Sequence, residues 1–202
     1  MVSSEIPELY KKGLVWLEDR SFYDNNGVSF RGIVRSIVHD IAAGHAVEGA
    51  STLSAQFIRN ALWLGEDRSL SHKVLEFLYA IRLNHLFTKE QILTMYADRI
   101  SFGHMNYGLK SASLYYFAKE PNNLTEAEQI ALLAIPKNPA SYDPYTQEKS
   151  FQKRFEMIVK TLQEGKIITE LGAKNILSEE FAFNTDHRDS MPYVADFIKK
   201  NT

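Results

Sequence analysis

The sequence predicts a mainly α fold, and three observations carry that prediction. Apolar residues recur at three-four spacing through most of the 202 residues. Two Thr-x-x-Gln/Glu boxes stand where helices should begin. Alternating strand patterns are scarce. Apolar types make up 45% and charged types 24%, a balance that excludes a disordered or collagenous chain.

Elements follow in chain order. Leu14, Val15 and Glu18 share one helical face near the start. From Phe30, the positions Ile33, Val34, Ile37, Val38 and Ile41 form a stripe that Gly44 ends. A helix over about 51–64 turns Leu53, Phe57, Ile58, Ala61 and Leu62 inward, with Ser51 or Thr52 as N-cap and Gly65 as the stop. Ser69 can cap the next, whose Leu70, Val74, Phe77, Leu78 and Ile81 form one stripe. Thr88 with Gln91 opens a helix through Tyr96, and Thr125 with Glu128 opens another over Ala127–Ile135. Pro121, Pro136, Pro139 and Pro144 punctuate that region and begin an irregular stretch through Tyr145. Shorter helices are expected over 148–164, 169–179 and 190–200, with a polar loop near Asn184–Asp189. There is no internal repeat, and the length suits one domain, read here as two small lobes.

Composition also narrows function. Twenty-three Lys and Arg against 25 Asp and Glu give a net charge of −2, so no global basic field exists to hold nucleic acid. With no cysteine, a disulfide scaffold, a thiolate zinc site and a cysteine nucleophile are all excluded. No stretch approaches the ~20 apolar residues of a bilayer-spanning helix. Met1-Val2-Ser3-Ser4-Glu5 lacks the basic and apolar regions of a signal peptide. The chain therefore reads as a soluble protein or as a piece of a longer one.

Two features point to chemistry. Glu18 continues an apolar face, where desolvation favours the protonated carboxyl and suits a general base or acid; a surface glutamate at a helix end is the plainer alternative. Secondly, Gln56 and Arg59 lie one turn apart with Thr52 four residues before, and Lys73 and Glu76 share a face on the next segment. With Arg35 and Arg68, these would set four cations and a carboxylate around one pocket suited to a phosphate or diphosphate. Solvated ion pairs worth ~0–1 kcal/mol each are the alternative. His72-x-x-x-Glu76 lacks the HExxH pattern of a metal site, and Gly49-Ala50-Ser51-Thr52 lacks the spacing of a nucleophile elbow. No Gly-rich phosphate loop is present, which argues against a nucleotide enzyme.

In order, these pieces resemble the peptidoglycan glycosyltransferases, glycosyltransferase family 51, from about Ile6 to Lys199. The first motif stands as Glu18-Asp19-Arg20-Ser21-Phe22 and runs on through Asn25-Asn26-Gly27, Arg31-Gly32 and Arg35. The second is Gly49-Ala50-Ser51-Thr52-Leu53-Ser54-Ala55-Gln56 with Arg59-Asn60, and the third is His72-Lys73-Val74-Leu75-Glu76. The fourth is Lys89-Glu90-Gln91-Ile92-Leu93 with Tyr96, Phe102-Gly103 and Tyr107-Gly108. The fifth spans Leu124 to Pro136 around Glu128, and Met191-Pro192-Tyr193-Val194-Ala195-Asp196 looks like the family's domain end. Asn25, Ala55, His72 and Asp98 depart from the pattern, replacing a histidine, a glutamine, an arginine and an asparagine.

The resemblance implies a lysozyme-like, two-lobed glycosyltransferase domain over 1–202, with 22–50 forming much of a smaller membrane-proximal lobe. It implies lipid II and the nascent glycan as substrates and an inverting displacement that expels a lipid diphosphate. Glu18 is then the expected base and Glu76 the group at the donor side. Asp19, Phe22, Arg35, Ser51, Thr52, Gln56, Arg59, Arg68 and Lys73 line the substrate site. A divalent cation, Mg or Mn, at the diphosphate is allowed for, with no dedicated ligand set visible. Expected partners are the membrane surface and other cell-wall synthesis proteins, with no nucleic acid. The expected location is the outer face of the bacterial cytoplasmic membrane, with any anchor outside this chain. A non-catalytic lipid II-binding module of the same fold, or a lysozyme-like glycan hydrolase, are the alternatives.

Overall fold

A computed structural model describes residues 5–29, 32, 51–62, 70–180 and 182–186. The helices expected over 30–44 and 190–200, the Ser69 cap, the Gly65 stop and the closing 191–196 motif lie outside them. Among the described residues the regular structure is helical: α1 (Glu8–Glu18), α2 (Leu53–Ala61), α3 (Leu70–Leu86), α4 (Lys89–Ala97), α5 (Leu109–Phe117), α6 (Glu126–Ala134), α7 (Glu148–Glu164) and α8 (Glu170–Ser178). A short 3-10 turn covers Pro121–Asn123, and the only β pairing in this set is an isolated bridge between Ser101 and Tyr107. The mainly α prediction agrees.

Local chemistry sets the helix starts. Thr52 caps α2 by accepting the Ala55 amide at 3.1 Å. Both predicted boxes close reciprocally, Thr88 with Gln91 on α4 and Thr125 with Glu128 on α6. Each satisfies amides that a helix start leaves orphaned, worth about 0.5–2 kcal/mol per cap.

The core sits around α6, where every residue from Ala127 to Ala134 is buried. Helices α1, α5, α7 and α8 pack on it. On the amphipathic α7, the inward residues Phe151, Phe155, Ile158, Val159 and Leu162 follow the helical repeat, each apolar side chain stabilising by about 1.5–3 kcal/mol. The Tyr10 amide donates to Gln129 Oε1 at 3.2 Å, tying α1 to α6 across 119 residues of sequence. Gly165 ends α7 beneath the Trp16 ring, which a Cβ there would meet at 2.3 Å. At the far end, Tyr116 donates to the Phe102 carbonyl at 2.7 Å and Tyr145 to the Asn184 carbonyl at 2.7 Å, closing the proline-rich stretch over an aromatic cluster.

Helices α3 and α4 pack against α2, and α1 reaches this group with its last turn. Here the apolar stripes expected from periodicity need correction. Leu62 is 47% exposed, and on α3 Val74 and Leu78 are 49% and 59% exposed, while Glu76, Ala80 and Leu83 face inward. Leu75 and Tyr79 are apolar too, so residues of that type occur around the whole circumference of α3. Spacing then cannot choose a face; the approach of α2 does.

Candidate active site

Glu18 is the final residue of α1, half-buried, and its Oε2 accepts Gln56 Nε2 of α2 at 3.1 Å. Gln56 is oriented in turn, because its Oε1 accepts the Tyr96 hydroxyl at 3.0 Å. Burial and then the Glu18 charge push the Tyr96 phenol well above its ordinary range. Tyr10 lies on the same face of α1 and is raised by the same two causes. Arg154 of α7 completes the surroundings: burial lowers it, opposed by Tyr142 and Glu18. Sequence reading missed Tyr10 and Arg154. Tyr10 carried a signal, since 10, 14 and 18 form one helical row; Arg154 carried none.

One turn along α2, Arg59 grips the second carboxylate. Its Nε reaches Glu76 Oε2 at 3.2 Å and its Nη2 reaches Oε1 at 2.9 Å. Lys73 Nζ donates to the same Oε1 at 2.7 Å. Both cations also donate to Ser51 Oγ at 3.0 Å. Glu76 is 4% exposed. Burial alone would raise its carboxyl, but hydrogen bonds and charge from Arg59 and Lys73 outweigh that and hold it below the ordinary value. The side chains of Arg59 and Lys73 keep 35% and 36% exposure, so each remains partly open to solvent while anchored to Glu76.

Other expected site residues serve the frame. Asp19 is buried and accepts from the Leu53 amide at 3.2 Å, from Asn25 Nδ2 and from Ser21 Oγ. Thr52 spends its hydroxyl on the Gly27 carbonyl at 2.6 Å and on its cap. Phe22 is 0% exposed, in edge contact with Tyr23 and under the Lys89 ammonium. The Phe22 ring has no exposed surface, and the Thr52 hydroxyl donates once and accepts once within the frame. Asp19 likewise orients the turn after α1. Arg35 and Arg68 lie outside the described residues, as does most of the 22–50 segment.

Among the described residues the donor set does not fit a protein-held divalent ion. No group of three His, Asp or Glu side chains capable of holding one occurs among the described residues. Both Glu76 oxygens already engage cations.

The chain matches known proteins along most of its length. A family model described as Transglycosylase matches residues 1–163. Penicillin-binding protein 2D of Bacillus subtilis is 36% identical over 190 residues, covering 94% of this chain and 27% of that protein. Penicillin-binding protein 4 of the same organism is 34% identical, covering 96% of this chain and 31% of its own length. Penicillin-binding protein 1A of Escherichia coli is 32% identical, covering 97% of this chain and 23% of its own length. The chain thus spans about a quarter to a third of the length of these relatives. Among solved structures, penicillin-binding protein 1A from Haemophilus influenzae is 21% identical, with a TM-score of 0.45 over 72% of this chain and 19% of that one.

Proposed function

The chain belongs to the transglycosylase family, and from that membership we propose that it polymerises peptidoglycan by inverting glycosyl transfer, with lipid II as acceptor and a lipid-diphosphate-linked glycan as donor. One observation supports the reading most: consecutive turns of α2 hold two carboxylates, Glu18 through Gln56 and Glu76 through Arg59.

In this reading the acceptor's sugar hydroxyl attacks the donor's anomeric carbon. A neutral hydroxyl is a weak nucleophile, so its proton passes to Glu18 as the new C–O bond forms. The bond from the anomeric carbon to the diphosphate oxygen breaks, and the electron pair leaves with the diphosphate. Negative charge grows there, and Arg59 and Lys73 stabilise it from fixed positions, an effect worth about 10²–10³ in rate per donor in comparable sites. Glu76 stays ionised and orients the two cations. Ser51 offers a neutral contact beside them. Arg35 and Arg68 are retained as further cations of this pocket. A single displacement inverts the anomeric centre.

The membrane-facing part of the proposal falls on 22–50, and no described helix is long and apolar enough to cross a bilayer. The enzyme would then work at the outer face of the cytoplasmic membrane beside other cell-wall synthesis proteins. Glu18→Gln tests the assignment: glycan chains from purified lipid II should disappear while thermal unfolding stays unchanged. Polymerisation retained in that variant would remove Glu18 from the role of base. Soluble muropeptides released from sacculi, with no need for a diphosphate donor, would favour a hydrolase instead.

A further inference from the structure

Lys89 opens α4, where unpaired amides already carry partial positive charge, so an ammonium there is disfavoured unless something compensates. Its Nζ donates to the Asn25 carbonyl at 2.6 Å and to Asn84 Oδ1 at 2.5 Å, and stands 4.7 Å from the Phe22 ring centre. Burial pushes the ammonium down, with Asp19 and Asp24 acting against that.

The connection continues inward from both partners. Asn25 Nδ2 donates to the two Asp19 oxygens at 3.1 and 3.0 Å, and Asp19 Oδ2 accepts the Leu53 amide that begins α2. Asn84 Nδ2 donates to Ser54 Oγ of α2 at 2.8 Å. One ammonium therefore joins α3, α4, the 19–27 turn and the start of α2.

We propose that Lys89 is a positioning residue for the transfer reaction, its charge holding the Asn25–Asp19–Leu53 connection that keeps α2 in register with Glu18 and Glu76. The inference rests on the glycosyl-transfer reading. Glu18 immediately precedes Asp19, and Gln56 and Arg59 follow Leu53 within two turns. A slip at the bond between Asp19 and Leu53 moves Gln56 from Glu18 and Arg59 from Glu76 together. Lys89 is hydrogen-bonded to neither carboxylate, so its influence passes through this frame.

Lys89→Met keeps the apolar stem over Phe22 but removes the donor, and Lys89→Arg restores the charge. Steady-state lipid II polymerisation and amide hydrogen exchange on the full chain test the proposal. The Met variant should lose on the order of tenfold to a hundredfold in kcat, the scale of a small misplacement, with KM within about twofold of wild type. Lys89→Arg should recover part of that loss. Exchange should rise across 19–27 and 52–56 in the Met variant and stay unchanged over 126–134. A kcat within about twofold of wild type, equal losses in the Met and Arg variants, or unchanged exchange at 52–56 would each overturn the assignment. If Lys89→Met also loses protection over 126–134, Asn25→Ala cuts the same connection one link further in and carries the same expectations. If wild type makes no glycan, the glycosyl-transfer reading fails by itself and the exchange measurement decides whether Lys89 holds the frame.

Discussion

Gln56 and Arg59 stand three residues apart on α2 and each holds a different carboxylate, Glu18 at 3.1 Å and Glu76 at 2.9 Å. The helix repeat puts both side chains on one face, so the separation of the two acids is set by a single rigid element. Loops contribute the flanking turn; the helix sets the spacing.

Replacing Gln56 tests that geometry. Gln56→Leu leaves Glu18 without its donor and the buried Tyr96 hydroxyl without its acceptor. An unsatisfied buried polar group costs about 1–3 kcal/mol, and urea unfolding should show a loss of that size. Turnover of lipid II should fall further than stability predicts. An unchanged rate would mean Glu18 needs no orientation.

Arg59→Lys keeps the charge and loses the two-point grip on Glu76. Roughly tenfold slower polymerisation is the expected result, with a small change in melting temperature. Equal activity in the two proteins would show that charge alone serves the pocket.

Acid stability should report the Glu76 cluster. Folding holds this carboxyl below its ordinary 4.5, so the stability it adds is present above about pH 4.5 and is lost as pH falls through the lower folded value. Asp143 acts in the same direction. Burial raises it, but Thr146, the Tyr145 amide and His104 hold it below 3.8. Glu76→Gln should flatten the acid limb of a stability-pH profile and cost about 1–2 kcal/mol at neutral pH, discounted because its partners are partly exposed. An acid limb as steep in the variant as in wild type would refute the coupling.

Gly27 is a tight point of the turn that follows α1. At φ +95° a Cβ would meet the Ala80 carbonyl oxygen at 2.3 Å. Gly27→Ala should destabilise by about 2–4 kcal/mol, since both the left-handed backbone and the clash oppose it. Chemical denaturation measures this directly, and a loss under about 0.5 kcal/mol would contradict the close packing of turn and helix.

Much of the site was written in local patterns. Lys73 and Glu76 pair as their spacing implies, and Thr52, Thr88 and Thr125 cap the helices they precede. Phe22 and Thr52, grouped with the substrate-facing residues by their motifs, are both buried, which a motif, as a record of neighbours in sequence, does not state. The four-cation pocket is described for Arg59 and Lys73 only; Arg35 and Arg68 lie beyond the described residues.

Helix starts, caps and breaks depend on interactions three or four residues long, and those are legible in a linear chain. The inward face of α3 was not, because its apolar residues encircle it and the choice fell to the packing of α2. Nor was the meeting of Glu18 with Gln56, 38 residues on, or of Lys89 with Asn25, 64 residues back. Such contacts exist only once the helices are packed, since burial makes an unpaired charge or amide costly and so selects the arrangement in which each finds its partner.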